Sequence, residues 1–329
     1  MTGPKDAGAR AGRVLPMPAP RFWRKNQPDP SVRRRVSTGQ PTVAVITMAR
    51  DEADMLPRWV RHYGAQVGES SLLVFDDNST DGSTDDLPCT VHRLPQLPGR
   101  RGYEDSRMEL MSGIAQGLLA AYEFVIFADV DELIIPDPDR YDGLLDFLAA
   151  RRDRSVLAPV ALNVVHHPGV EGAIDPSQPV LGQRRFAKFV PLMCKPAVKS
   201  VPAAWCNASH GIMAPFEVDP DLFMFHLKFY DREALRAVAD RRHEMVQADG
   251  RARKSSWSVS GDEMAAMLDR FVAGADPDKV PEFDPRKADL AAVVHKEEGD
   301  VWRTMREGQV RAMETRRLWR VPDRLLGRL

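Results

Sequence analysis

The chain has 329 residues, 43% apolar and 28% charged, with a formal net charge of -1. These fractions are ordinary for a soluble globular protein, and the length suffices for one large domain or two modest ones with ample core. The charge is uneven: residues 1–40 hold nine Lys/Arg against Asp6 and Asp29, residues 300–329 hold eight Arg against four acidic residues, and residues 41–299 therefore carry -12. An acidic body argues against nucleic acid as the main ligand, whereas basic ends either solubilise the chain or touch an anionic membrane surface.

Cys89, Cys194 and Cys206 are widely spaced. They form neither a metal-ligand pattern nor a disulfide framework, so a reducing, cytoplasmic setting is expected, peripheral at most to the inner face of the cytoplasmic membrane. No run approaches the roughly 18–20 apolar residues that span a bilayer. The amino terminus lacks the apolar segment of a secretory signal. Arg33-Arg34-Arg35 is followed by polar residues and Pro41, unlike a twin-arginine signal, and Asn207-Ala208-Ser209 reads as a coincidental glycosylation sequon.

Residues 1–39, rich in Pro, Gly, Ala and Arg, read as a disordered basic tail from which Phe22 and Trp23 could dock back. Thr42 to Met48 is β-branched and apolar, a first buried strand, with Arg50-Asp51-Glu52 at its carboxyl end. A helix follows from near Asp54, its expected cap, with Met55, Trp59 and Tyr63 on one face. Ser71 to Phe75 is a second strand that runs into Asp76-Asp77-Asn78-Ser79-Thr80-Asp81-Gly82-Ser83, a turn-forming acidic loop. Thr90 to Leu94 is a short third strand, Pro95 to Gly102 a loop, and Tyr103 to Ala121 a helix with Met108, Met111, Ile114 and Leu118 inward.

Phe124 to Ala128 is a fourth, fully apolar strand ending in Asp129-Val130-Asp131-Glu132. Buried carboxylates cost several kcal/mol per ion unless they are paired or bind metal. The alternation of strand and helix predicts an α/β fold with a mostly parallel sheet and flanking helices. Acidic residues then recur at the carboxyl ends of strands one, two and four, where open α/β sheets bind ligands. Two carboxylates one residue apart suit a hard divalent cation.

In the second half, Tyr141 to Ala150 reads as a helix capped near Asp139, and Ser155 to Val165 as an apolar strand ended by the loop residues His166-His167. Phe186 to Val190 is a short apolar segment, followed by Lys195 and Lys199. Leu222 to Tyr230 is an aromatic strand with His226 and Lys228 on one face. Asp231 to Asp249, 259–273 and 287–319 read as helices, the last two joined by a Pro/Asp-rich connector at 276–286. The chain thus divides into a tail (1–39), an α/β domain (40–250) and a helical extension (251–329).

The succession Val43-Ala44-Val45-Ile46-Thr47-Met48-Ala49-Arg50-Asp51-Glu52, Trp59, His62-Tyr63, Val74-Phe75-Asp76-Asp77-Asn78-Ser79-Thr80-Asp81-Gly82 and Phe127-Ala128-Asp129-Val130-Asp131-Glu132 resembles family 2-like glycosyltransferases of GT-A fold, in the bacterial branch related to the family 92 enzymes. The likeness covers roughly residues 41–240, and the family usually has Asn-Glu where this chain has Asp51-Glu52. The resemblance implies transfer of a sugar from a nucleotide diphosphate donor, UDP for preference, to a glycan or glycolipid hydroxyl in surface polysaccharide assembly, by an inverting displacement. It implies a nucleotide pocket of Arg50, Asp51, Glu52, Asp76, Asp77 and Ser79, with Lys195 and Lys199 near the donor phosphates. Asp129 would sit by the ribose and metal, Asp131 would ligate Mn2+ or Mg2+, and His226, with His210 as rival, would complete the metal site. The catalytic base falls among Glu217, Asp219 and Asp221. A nucleotidyltransferase and a non-catalytic nucleotide-sugar or polysaccharide binding module are the alternatives. No glycine-rich loop follows strand one, which argues against a dinucleotide enzyme.

Overall fold

In the computed structural model, residues 39–95, 102–206, 208–249, 258–304 and 309–329 are described. The expected tail, apart from Gly39, therefore lies outside them, with Phe22, Trp23 and Arg33 to Arg35, as do Asn207 and residues 96–101 of the expected loop.

Strand β1 (Val43–Ala49) is buried at every position, as a continuous apolar run in a parallel sheet must be. It lies between β2 (Leu72–Asp76) and β4 (Phe124–Phe127), and β3 (Thr90–Arg93) flanks β2, all four parallel. This is the expected α/β half. Beside β4 the direction reverses: β8 (Val198–Lys199) runs antiparallel to β4 and to β6 (Val156–Val165), and β7 (Phe186–Phe189) antiparallel to β6. The long β11 (Glu217–Phe229) pairs parallel with β6 and antiparallel with β5 (Glu132–Pro136). Short strands β9 (Trp205–Cys206), β10 (Gly211–Ile212), β12 (His295–Lys296) and β13 (Trp302–Arg303) form a second sheet. Strand β14 (Leu318–Arg320) joins the main sheet against β7.

Helix α1 (Met55–Val67) buries Leu56, Trp59, Val60 and Tyr63, the stripe a core-facing helix requires. Gly68, at φ 86°, ends it and returns its N–H to Gly64 O at 2.9 Å. Asp54 does not cap this helix. Its carboxylate accepts instead from the Tyr230 hydroxyl at 2.6 Å. Helix α2 is Tyr103–Leu118, and α3 (Leu144–Ala149) is preceded by Gly143, so Asp139 does not cap it. Helix α4 (Arg232–Asp249) lies against α5 (Gly261–Val272), which a Ser260–Glu263 capping box starts.

The helix expected over 287–319 is mostly absent. Pro285 opens a tight turn, and Gly299 (φ 77°) and Asp300 (φ 65°) bend the chain. Trp302 enters β13, and among the described residues of this span α6 (Gln309–Thr315) is the only α-helix, with Met313 fully buried. This region belongs to the same hydrophobic core as the sheet, through Phe271, Phe283, Met313, Leu318 and Leu325. Ion pairs from Arg286 to Asp221 and from Arg324 to Asp137 (3.0 Å) fasten it further. Among the described residues no helix is long and apolar enough to cross a membrane.

Helix α1 grips β5 by its backbone. The buried Tyr63 hydroxyl donates to Glu132 O at 2.9 Å and accepts from the Ile134 N–H at 3.0 Å, and His62 Nε2 donates to Ile134 O at 2.8 Å. Burial holds the His62 ring down at about 4, against the Ile134 carbonyl, which favours the charged form. Tyr63→Phe would leave a buried N–H and carbonyl short of a partner. It should lower unfolding free energy by about 1–3 kcal/mol in urea titrations, and an unchanged midpoint would contradict the role.

Candidate active site

The carboxyl edge of the parallel half is built from two interlocked loops. Asp51, just past β1, adopts φ 53°, a left-handed backbone that Asp and Asn tolerate better than most residues. Its N–H donates to Ser79 Oγ at 3.1 Å, and its Oδ1 accepts from the Thr80 N–H at 2.7 Å. Asp76 Oδ1 accepts from the Ser79 N–H at 2.7 Å, and the Glu52 N–H reaches Ser83 Oγ at 3.3 Å. Asp51, Asp76 and Ser79 are thus joined to one another in a latch. Asp77 sits deeper along the edge, where Tyr103 OH donates to its carboxylate at 2.9 Å and Arg50 lies at 3.9 Å.

The acidic turn after β4 divides its charges. Asp129 faces two cations: Arg107 donates to Oδ1 and Lys195 Nζ to Oδ2 at 2.9 Å. Burial works against the Asp129 charge, but Arg107 and then Lys195 prevail and hold its carboxyl far below the usual range. Lys195 also lies 2.6 Å from Glu132 Oε1. Burial opposes the lysine's charge, yet Asp129 and Glu132 keep it firmly protonated. Glu132 is raised by burial despite Lys195.

Asp131 points the other way. Its Oδ2 lies 3.3 Å from His226 Nε2, and its side chain is 20% exposed. Burial would raise this carboxyl, but His226 outweighs it and holds Asp131 at about 2. His226 Nδ1 donates to Asn163 Oδ1 at 2.7 Å. The backbone fixes the pair, since the Leu227 N–H donates to Asp131 O at 2.8 Å and Glu132 pairs with His226 across β5 and β11.

Asp131 lines a cavity of about 60 Å3 under α4, together with Glu52, Lys228, Tyr230 and Arg242. Arg242 reaches Glu52 at 3.1 Å. Burial lifts the Glu52 carboxyl to about 7, Arg242 opposing and Asp131 adding to the rise. Burial, with Arg242, lowers Lys228 to about 8.

The structure gives six residues of the expected site partners other than those the sequence suggested. Asp129 does not face a metal position, because both of its oxygens serve Arg107 and Lys195. Lys199 is fully buried, its Nζ on Ala203 O at 2.7 Å and 3.5 Å from the Trp205 ring centroid. Burial drives it well below the lysine range, so it offers no surface charge to phosphates. Glu217 and Asp219 lie at the wrong end of β11, paired with Arg154 (3.1 Å) and Arg151 (2.7 Å). Asp219 precedes His226 by seven positions, about 23 Å at roughly 3.3 Å per strand residue. Asp221 is likewise engaged, by Arg151, Arg140 and Arg286. His210, the rival to His226, donates from Nδ1 to Leu192 O at 2.8 Å, and burial and then Lys195 lower it to about 3.

Arg107, Tyr103, Asn163 and Arg242 escaped the sequence reading. Three had a legible signal. Tyr103 and Arg107 fall in line with buried Met111 at four-residue spacing, polar groups on a core-facing stripe. Asn163 is the only amide in an otherwise apolar, wholly buried ten-residue strand, and a buried polar group needs a partner.

The donor set fits one divalent ion of the Mn2+ class: a carboxylate and an imidazole with Nδ1 already bonded. Among the described residues no group of three or more His, Cys, Asp and Glu is arranged to hold a metal. Such an ion would therefore draw its other ligands from outside the protein, as cations of this kind do from substrate phosphates. The charge balance at Asp129 has a direct test. Lys195→Met leaves two buried carboxylates facing each other and should cost about 3–5 kcal/mol in denaturant titrations. Adding Glu132→Gln should recover part of that loss, and no recovery would contradict the assigned balance.

No protein-family model matches the chain, and no curated protein sequence matches it. Among solved structures, it is similar over 38% of its length to a mannosyltransferase from Pyrobaculum calidifontis in complex with GDP-Man and Mn2+, covering 36% of that chain at 20% identity and TM-score 0.26. It is similar over 37% of its length to glucosyl-3-phosphoglycerate synthase from Mycobacterium tuberculosis in complex with Mn2+, UDP-glucose and phosphoglyceric acid, covering 44% of that chain at 20% identity and TM-score 0.26. A mycobacterial protein is similar over 37% of this chain and 42% of its own, at 21% identity and TM-score 0.25. The chain spans less than half the length of each of these structures.

Proposed function

We propose that this protein is a metal-dependent glycosyltransferase that moves a sugar from a nucleotide diphosphate, UDP for preference, to a hydroxyl acceptor of glycan or glycolipid type. The observation that carries the reading is the Asp131–His226 pair at the carboxyl edge of a Rossmann-like sheet. The acidic loop after β2 lies on that same edge, which is where α/β sheets bind nucleotides. Asp131 and His226 would hold Mn2+ or Mg2+, which when bound neutralises charge on the diphosphate leaving group.

The chain's own groups divide the remaining work. Asp77, Tyr103 and Arg50 form the polar wall for the nucleoside. Arg107 and Lys195 hold Asp129 ionised and immobile, so the strand end keeps its shape as charge moves beside it. In an inverting transfer the acceptor oxygen bonds to the anomeric carbon as the bond to the diphosphate breaks, and the hydroxyl proton goes to a carboxylate. Glu52 takes that proton in this reading, because it is the glutamate lining the cavity beside Asp131.

Donor hydrolysis and transfer with UDP-sugars, with and without Mn2+, test the reading. Asp131→Asn should lower metal-dependent turnover on the order of 100-fold or more, since several kcal/mol of charge stabilisation is lost. Glu217→Gln, an exposed change at the far end of β11, should leave turnover at the wild-type level. Wild-type turnover in Asp131→Asn, or no response of the native chain to any nucleotide diphosphate, would overturn the proposal.

A further inference from the structure

We infer that Asn163 is a positioning residue that holds the His226 ring by Nδ1 and so keeps Nε2 directed at Asp131. The inference rests on reading Asp131 and His226 as a metal site, but its evidence is separate. Asn163 is fully buried on β6, in register with His226 on β11. Side chains paired in register on neighbouring strands share a face, so the amide and the imidazole meet without any loop between them. The contact is 2.7 Å, between Asn163 Oδ1 and His226 Nδ1.

The chemistry follows from the two groups. An amide oxygen only accepts, so Nδ1 carries the proton, and in a neutral imidazole the lone pair then lies on Nε2. That nitrogen is the one 3.3 Å from Asp131 Oδ2. A ring without this partner could rotate, and Nε2 would no longer be held beside Asp131. The position also makes sense of the sequence. Burying an amide in Val156–Val165 costs free energy that an apolar residue would not, and a second-sphere hydrogen bond to a metal-binding histidine is a role that offsets it.

The test uses the full-length protein as wild type, Asn163→Leu and Asn163→Asp. Mn2+ affinity is read from the EPR signal of the free ion. Asn163→Leu keeps the volume and removes the acceptor, and should weaken Mn2+ binding about 10–100-fold. Asn163→Asp keeps the acceptor and should bind close to wild type. Wild-type affinity in Asn163→Leu would overturn the inference and leave the metal-site reading standing. No Mn2+ binding by the wild-type chain would overturn both. Should Asn163→Leu fail to fold, the Asn163→Asp affinity decides, and a loss of about tenfold or more there would overturn the inference.

Discussion

Three carboxylates within four residues, Asp129, Asp131 and Glu132, sit at one end of a buried strand, and the surrounding structure is arranged to meet their charge. Ionised groups in such a place are tolerated only with partners close by. Lys195 answers two of them at once, Arg107 comes from α2 for Asp129, and His226 comes from β11 for Asp131. The backbone of the turn is held as firmly as its side chains, by Tyr63 from α1 and by the N–H of Leu227. Four separate elements converge on this turn, and the direction of each carboxylate follows from which element meets it.

That division explains why two aspartates one residue apart behave differently. Asp129 is surrounded by cations and is a structural anion. Asp131 is paired with an imidazole and keeps partial exposure, so it is the carboxylate better placed to meet an external cation. Glu52, from the end of β1, closes the far side of the same cavity, and Arg242 from α4 moderates its charge. The cavity is therefore shared by the sheet edge and a helix from the second half of the chain.

Much of the first half was legible because its signals are local. Apolar runs of β1, β2 and β4 demand burial on both faces, and the acidic loops after them are written directly into the sequence. Asp131 and His226 were legible as a pair only through the resemblance, since about ninety residues separate them. The second half was harder for physical reasons. Glu217 and Asp219 stood as candidate bases, but β11 begins earlier than its aromatic core suggests, which carries them to the opposite sheet edge. Lys199 was expected near the donor phosphates, and only its tertiary setting, the Ala203 carbonyl and the Trp205 ring, reveals a buried amine. The helix expected over 287–319 failed because left-handed Gly299 and Asp300 break it into short pieces. Asn163 and Arg107 were visible as polar residues in apolar surroundings, but their partners come from remote elements that no local pattern identifies.

The central claim is that Asp131 and His226, and not Asp129 or the Asp76-Asp77 loop, form the cation position. An anomalous difference map at the Mn edge, from crystals grown with Mn2+ and UDP, measures this directly. The account predicts one strong peak within bonding distance of Asp131 and of His226 Nε2, with Asp129 still paired to Arg107 and Lys195. A peak on Asp129, or on Asp76 and Asp77, with none between Asp131 and His226, would contradict it.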